Sequence, residues 1–178
     1  MSAGWFPAGL MAAALLGASG AAHAQAAAPA TAPADDPTGL AEARETAQGR
    51  IVLAYLDALN ARDLPAVRGL LAADFDMPRR WRECPVQESD ADCFIRYLND
   101  RTVSLDGTAA LQKIRVEWHI VRINIALSNR STAEEGVARL LLTDEFLVED
   151  GKIASFIRTP RTEDLETRRY FQNRWEER

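Results

Sequence analysis

The stretch Ile51–Asp76, IVLAYLDALNARDLPAVRGLLAADFD, decides the fold. It reads as a helix, a short break and a second helix running into a strand. Ile51, Ala54, Tyr55, Ala58 and Leu59 follow helical spacing. The break is Asn60-Ala61-Arg62-Asp63. Asp63 is placed to N-cap the next helix, with Pro65 in its first turn. That second helix, Leu64–Ala72, buries Val67, Leu70 and Leu71, and Asp74-Phe75-Asp76 leads out of it.

Upstream, Thr38 is read as the N-cap of one helix reaching Asn60, with Leu40, Ala43, Ala47 and Ile51 continuing the apolar stripe. Residues 1–24 read as a secretory signal. Leu10–Leu16 is a short apolar core, and Ala22-His23-Ala24 is an A-x-A cleavage site before Gln25. The expected location is therefore periplasmic or secreted, after cleavage at Ala24-Gln25. Residues 25–37, QAAAPATAPADDP, form an Ala/Pro-rich leader with nothing to bury. The apolar core is too short to span a bilayer, and no later segment is long and apolar enough to do so. The 154 residues left of 178 after cleavage suffice for one domain, read as 38–160, followed by a charged helix at 161–178.

The formal charge of −5 argues against nucleic acid as a partner, because phosphate binding needs a clustered positive field. Of the 21 basic residues only Lys113 and Lys152 are lysines, and the arginines are scattered. Cys84 and Cys93 are the two cysteines, and in an oxidising compartment they are expected to form a disulfide. A shared metal is the poorer reading, since His23 leaves with the signal and only His119 remains. No metal and no cofactor are expected.

Pro78–Asp90 reads as a loop, and a third helix follows at Ala91–Arg101 with Phe94, Ile95, Tyr97 and Leu98 on its apolar side. After Thr102 the period changes to two. Ile114, Val116, Trp118 and Ile120 are apolar, then the phase flips to Val121, Ile123, Ile125 and Leu127. This predicts one long strand with a bulge or sharp bend near Ile120. Asn129–Gly136 is a turn and Val137–Glu149 a second long strand, whose even face is Ala138, Leu140, Leu142, Asp144, Phe146 and Val148. Asp150-Gly151 is a hairpin signal, and Lys152–Thr159 is the last strand. Pro160 stops it, and Thr162 is read as the cap of a final helix with Leu165, Tyr170, Phe171 and Trp175 as contacts. Helices first and antiparallel strands second make an α+β pattern.

The opening Ile51–Asp76 resembles the start of the nuclear-transport-factor-2-like superfamily, which includes SnoaL-like polyketide cyclases and ketosteroid isomerase. The resemblance covers about Arg50–Thr159. It implies N-terminal helices packed on a strongly bent antiparallel sheet, forming a cone with an internal pocket. It also allows a homodimer through the sheet.

Asp144 is the sharpest candidate for chemistry. It is the one charged residue on an apolar strand face, where lost solvation raises a carboxyl pKa. A neutral acid there can donate to a developing oxyanion. Thr143-Asp144-Glu145-Phe146 is similar to the segment holding the oxyanion aspartate of ketosteroid isomerase. Tyr55, in YLDALNA, matches the motif that places that family's oxyanion tyrosine. The plainer readings are an Asp144 paired with Arg122 or Arg158 and a core tyrosine. The chain departs from the isomerase at its general base: Met77, not aspartate, precedes Pro78. Steroid isomerisation is therefore not carried over.

Trp118 is expected to face inward, in register with Ile114 and Val116, and His119 outward beside Glu117. A cone can bury both faces, so His119 stays a candidate proton shuttle. Asp76, Arg158, Leu142 and Phe146 complete the expected ligand-binding set. Arg79-Arg80-Trp81-Arg82 is a short basic cluster, read as solvated. Three functions follow: a binder of a small apolar or carboxylate-bearing molecule, an acid–base isomerase, cyclase or dehydratase using Asp144 and Tyr55, and an association module. The residues leave open whether the chain is an enzyme.

Overall fold

The computed structural model describes residues 36–77 and 84–176, with side chains through residue 173. The signal segment, most of the leader, the Arg79–Arg82 cluster and the Trp175 side chain lie outside the described residues.

The expected first helix is two helices, α1 (Leu40–Glu45) and α2 (Ala47–Asn60). Thr46 adopts an extended conformation between them, and its hydroxyl accepts from the Gly49 N–H at 3.0 Å. A Cβ at Gly49 would collide with the Ala43 carbonyl, so the close approach of the two helices needs that glycine. Gly39, at φ 73°, rather than Thr38 stands at the N-cap of α1. Thr38 instead accepts the Ile114 N–H at 2.7 Å through its carbonyl, tying the start of the domain to the sheet.

In α2, Val52, Tyr55, Leu56 and Leu59 are buried. The three aliphatic side chains each contribute about 1.5–3 kcal/mol by leaving water. Asp63 caps α3 (Leu64–Leu70) by accepting the Ala66 N–H. That helix ends earlier than its apolar spacing predicts, because Leu71 already belongs to β1 (Leu71–Asp76). A second long helix, α4 (Asp90–Arg101), is capped by Ser89 and buries Phe94 and Leu98. The Asp90 carboxylate accepts the Met77 N–H at 3.2 Å, joining the end of β1 to the start of α4.

The sheet has the order β1-β5-β4-β3-β2. Its other strands are β2 (Thr108–Glu117), β3 (Ile120–Ser128), β4 (Leu140–Glu149) and β5 (Lys152–Pro160). The phase flip at Val121 is a tight hairpin rather than a bend in one strand. Trp118 and His119 form its turn, and Glu117 pairs with Ile120 and Val116 with Val121. A two-residue turn keeps Ile114 and Ile123 on one face while inverting the odd–even count along the chain. The register shifts of the sheet lie elsewhere, between Leu111 and Lys113, between Leu147 and Val148 and between Leu71 and Asp76.

The sheet is also mixed rather than antiparallel, because β1 runs parallel to β5. Parallel neighbours need a long crossover, and here α4, β2, β3 and β4 all intervene. The hairpin at Asp150-Gly151 forms as expected, with φ of 49° and 74°. A short helix, α5 (Arg130–Glu134), with an Asn129 capping box occupies the expected turn. The last helix, α6 (Leu165–Glu176), is capped by Asp164 rather than Thr162: Asp164 accepts the Thr167 N–H at 2.8 Å. Thr167 in turn accepts the Leu141 N–H at 2.9 Å, which holds α6 against β4.

Candidate functional site

Asp144 and Arg158 face each other across β4 and β5 as register partners. The alternation that buries Leu142, Phe146 and Val148 also buries Asp144. Arg158 supplies the counter-charge: Nε donates to Oδ1 at 2.7 Å and Nη2 donates to Oδ2 at 2.6 Å. Asp144 is 0% and Arg158 4% exposed. The lone carboxylic acid expected on this face is thus one half of a fork-on-fork ion pair. Burial opposes the Arg158 charge, but the Asp144 charge and hydrogen bonds outweigh it, so its pKa lies above its ordinary value. The guanidinium also lies 5.4 Å from the centre of the Phe156 ring.

Tyr55 reaches the same interior from α2. Its ring meets Phe146 edge-on at 5.0 Å and stacks on Phe94 at 6.4 Å. Its hydroxyl is buried and has no hydrogen-bond partner among the described residues. Burial pushes the phenol well up, Arg158 pulls it down, and Asp144 and Tyr97 add to the rise. Phe94 and Phe156 lie 4.7 Å apart, and Phe156 lies 5.3 Å from Phe146. Phe156 belongs to this cluster although sequence reasoning missed it. The signal was weak, because the register of β5 shifts opposite Leu147 and Val148.

Of the expected set, the structure brings together Tyr55, Asp144, Arg158, Leu142 and Phe146. It leaves out the other three. Trp118 was expected inside, but it is 90% exposed at the β2–β3 turn. His119 sits beside it, also exposed, so the strand alternation assumed for the pair does not apply. The Asp76 side chain is exposed at the end of β1.

Two clefts stand out among the described residues. One of about 530 Å³ is lined by Ala138, Arg139, Glu163, Asp164, Leu165 and Glu166. The other, about 260 Å³, lies between the first two helices and β2, with Leu53, Leu56 and Leu111 on its walls and Arg44 and Asp57 also lining it. Neither is lined by Asp144, Arg158 or Tyr55.

Cys84 and Cys93 form the expected disulfide, with Cα atoms 5.8 Å apart. It ties the segment before α4 to the first turn of that helix. Glu88 lies beside it, and its carboxylate accepts from Arg96 at 2.8 and 3.3 Å. No helix among the described residues is long and apolar enough to cross a membrane.

Neither a protein-family profile nor a curated protein matches the sequence. Solved structures do match the fold. IdmH from Streptomyces antibioticus, a proposed polyketide cyclase, superposes with a TM-score of 0.53 at 19% identity, covering 65% of this chain and 93% of that one. A proposed polyketide cyclase from Sinorhizobium meliloti gives 0.51 at 19% identity, over 62% of this chain and 94% of the other. A proposed ketosteroid isomerase from Kribbella flavida gives 0.52 at 16% identity, over 64% and 77%. The helices and curved five-stranded sheet therefore have the cone fold of SnoaL-like and nuclear-transport-factor-2-like proteins.

Proposed function

We propose that this chain is an exported, non-catalytic association module that works through the outer face of its sheet, with a second copy of itself as the partner. The observation that carries the reading is Trp118. It is a large aromatic at 90% exposure, held at φ 59° in a tight turn. Glycine is the residue favoured at such a position, and a bulky side chain there is strained. Next to it on the outer face, Ile120 (37% exposed) pairs with Leu147, and Ile157 (37%) lies one row further along. Arg115 and Arg122 stand among Glu117 and Glu145 on the same face. Apolar side chains thus lie interspersed with both signs of charge, a pattern that a second copy related by a two-fold axis can match. Aromatic and arginine side chains are the usual anchors of such contacts.

The enzyme reading loses its support at Asp144, whose two oxygens are both taken by Arg158. The activities named for structural neighbours do not transfer at identities below 20%. Export rests on the Ala22-His23-Ala24 site. Sedimentation velocity of protein purified from the envelope should find a dimer, which Trp118→Gly converts to monomer. A wild-type monomer at micromolar concentration would end this reading.

A second reading, binding of a small apolar or carboxylate-bearing molecule, is favoured by the 260 Å³ cleft. Four leucines line it together with Asp57 and Asn60, and the Arg44 guanidinium has no ion-pair partner among the described residues. Titration with a short fatty acid, followed by NMR shifts confined to α1, α2 and β2 and abolished in Arg44→Gln, would support it over the first.

A further inference from the structure

We propose that the reduced chain carries a zinc-type metal site made by Cys84, Glu88 and Cys93, which the disulfide closes. The two sulfurs and a Glu88 carboxylate oxygen all lie within 4.8 Å of one another. Zinc takes thiolate at about 2.3 Å and carboxylate at about 2.0–2.2 Å, so two sulfurs on one tetrahedral ion stand about 3.8 Å apart. The 5.8 Å between the Cα atoms leaves room for that spacing once the sulfur–sulfur bond opens. The donor set, two soft thiolates and one carboxylate with water in the fourth position, suits Zn²⁺ better than Ca²⁺ or Mg²⁺, which take oxygen ligands.

Hydrogen bonds hold the backbone at two of the three donors, Glu88 and Cys93. Ser89 caps α4 through the Asp92 N–H at 3.1 Å, and the Cys93 N–H donates to the Ser89 carbonyl at 2.9 Å. The Glu88 N–H donates to the Pro85 carbonyl at 3.0 Å, closing a turn that folds Cys84 back toward the helix. Glu88 is the ligand that a search for histidines overlooks. In the oxidised chain its charge is taken by Arg96, in a pair with side chains 22% and 41% exposed. The pair is bidentate but open to water on the arginine side, so a metal bond can compete with it.

The chemistry balances. A dithiol reductant transfers two electrons to the Cys84–Cys93 bond, giving two thiols and its own cyclic disulfide. Zn²⁺ then binds both sulfurs as thiolates and releases two protons. Disulfide and metal are mutually exclusive states of one loop. Metal therefore holds the loop in the reduced chain and oxidation holds it afterwards.

The test uses the purified chain, reduced with dithiothreitol and exchanged without oxygen into thiol-free buffer. Zn²⁺ is titrated against a chromophoric chelator, and Co²⁺ is added separately to read sulfur-to-metal charge transfer. One equivalent should bind the reduced chain and none the oxidised chain. Glu88→Gln should weaken binding at least by the roughly 10–100-fold seen when an outer-shell partner is lost. Arg96→Gln breaks the same ion pair but keeps the ligand, so it should bind at least as tightly as wild type. No stoichiometric metal on the reduced chain, wild-type affinity in Glu88→Gln, or equal weakening in both variants would each overturn the site.

Discussion

Asp144 and Glu145 are neighbours on one strand, and each faces an arginine across the sheet. On the inner side, Asp144 and Arg158 have side chains 0% and 5% exposed. On the outer side, Glu145 and Arg122 are 33% and 44% exposed, with a 2.7 Å contact. The inner pair uses both carboxylate oxygens, whereas both Arg122 nitrogens donate to Glu145 Oε2 alone; the larger difference is the medium. Inside, water cannot replace a missing partner, so each charge depends on the other. Outside, water and salt compete with the pair, which is worth about 0–1 kcal/mol. One residue of strand alternation thus separates a pair on which folding depends from a pair free to rearrange against another surface.

The largest expected effect is at the inner pair. Arg158→Met leaves Asp144 buried and uncompensated and should destabilise the fold by about 3–5 kcal/mol. Asp144→Leu in the same chain should recover most of that loss. Urea denaturation of both variants checks it, and a single variant losing under about 1 kcal/mol would erase the contrast between the two sides.

Trp118→Gly should act with the opposite sign. It relieves a left-handed conformation that a side chain adopts at about 1–2 kcal/mol, so the monomer should gain stability of that order. Self-association should fall at the same time. A variant that is both less stable and still dimeric would remove Trp118 from the outer-face account.

Tyr55→Phe sharpens the reading of the interior. The hydroxyl is buried without a partner, so replacing it by hydrogen should leave stability unchanged or raise it by about 1 kcal/mol. A loss of more than about 1 kcal/mol would mean that the hydroxyl is bonded in solution, which reopens a polar site beside Arg158. Thermal melts of the variant against wild type measure this directly.

The smallest effect belongs to the outer pair. Arg122→Gln should change monomer stability by less than about 1 kcal/mol. If the outer face mediates association, the same variant should weaken the dimer more than the monomer, and more at low salt than at high salt. Denaturation and sedimentation at two ionic strengths separate the two.

Local physics wrote much of this fold plainly into the sequence. Asp63 and Pro65 mark a helix start wherever they are placed, because capping acts over three residues. The even face of β4 and the Asp150-Gly151 turn are legible for the same reason: alternation and positive φ are properties of neighbouring residues. The disulfide followed from two nearby cysteines. Trp118-His119 failed as a turn signal because tryptophan, which takes the positive φ, does not favour it, and its apolar side chain continued the strand pattern instead. The break at Thr46 was hidden because the contact requiring it, Gly49 against Ala43, forms only when two helices meet. The parallel pairing of β1 with β5 joins segments about 80 residues apart, and no local period records its direction. For Asp144 the sequence determined burial, and tertiary structure decided what burial means. A carboxyl on an apolar face is a catalytic acid or a structural anion according to what stands opposite it. Strand register, fixed by the β4–β5 hairpin, put Arg158 there.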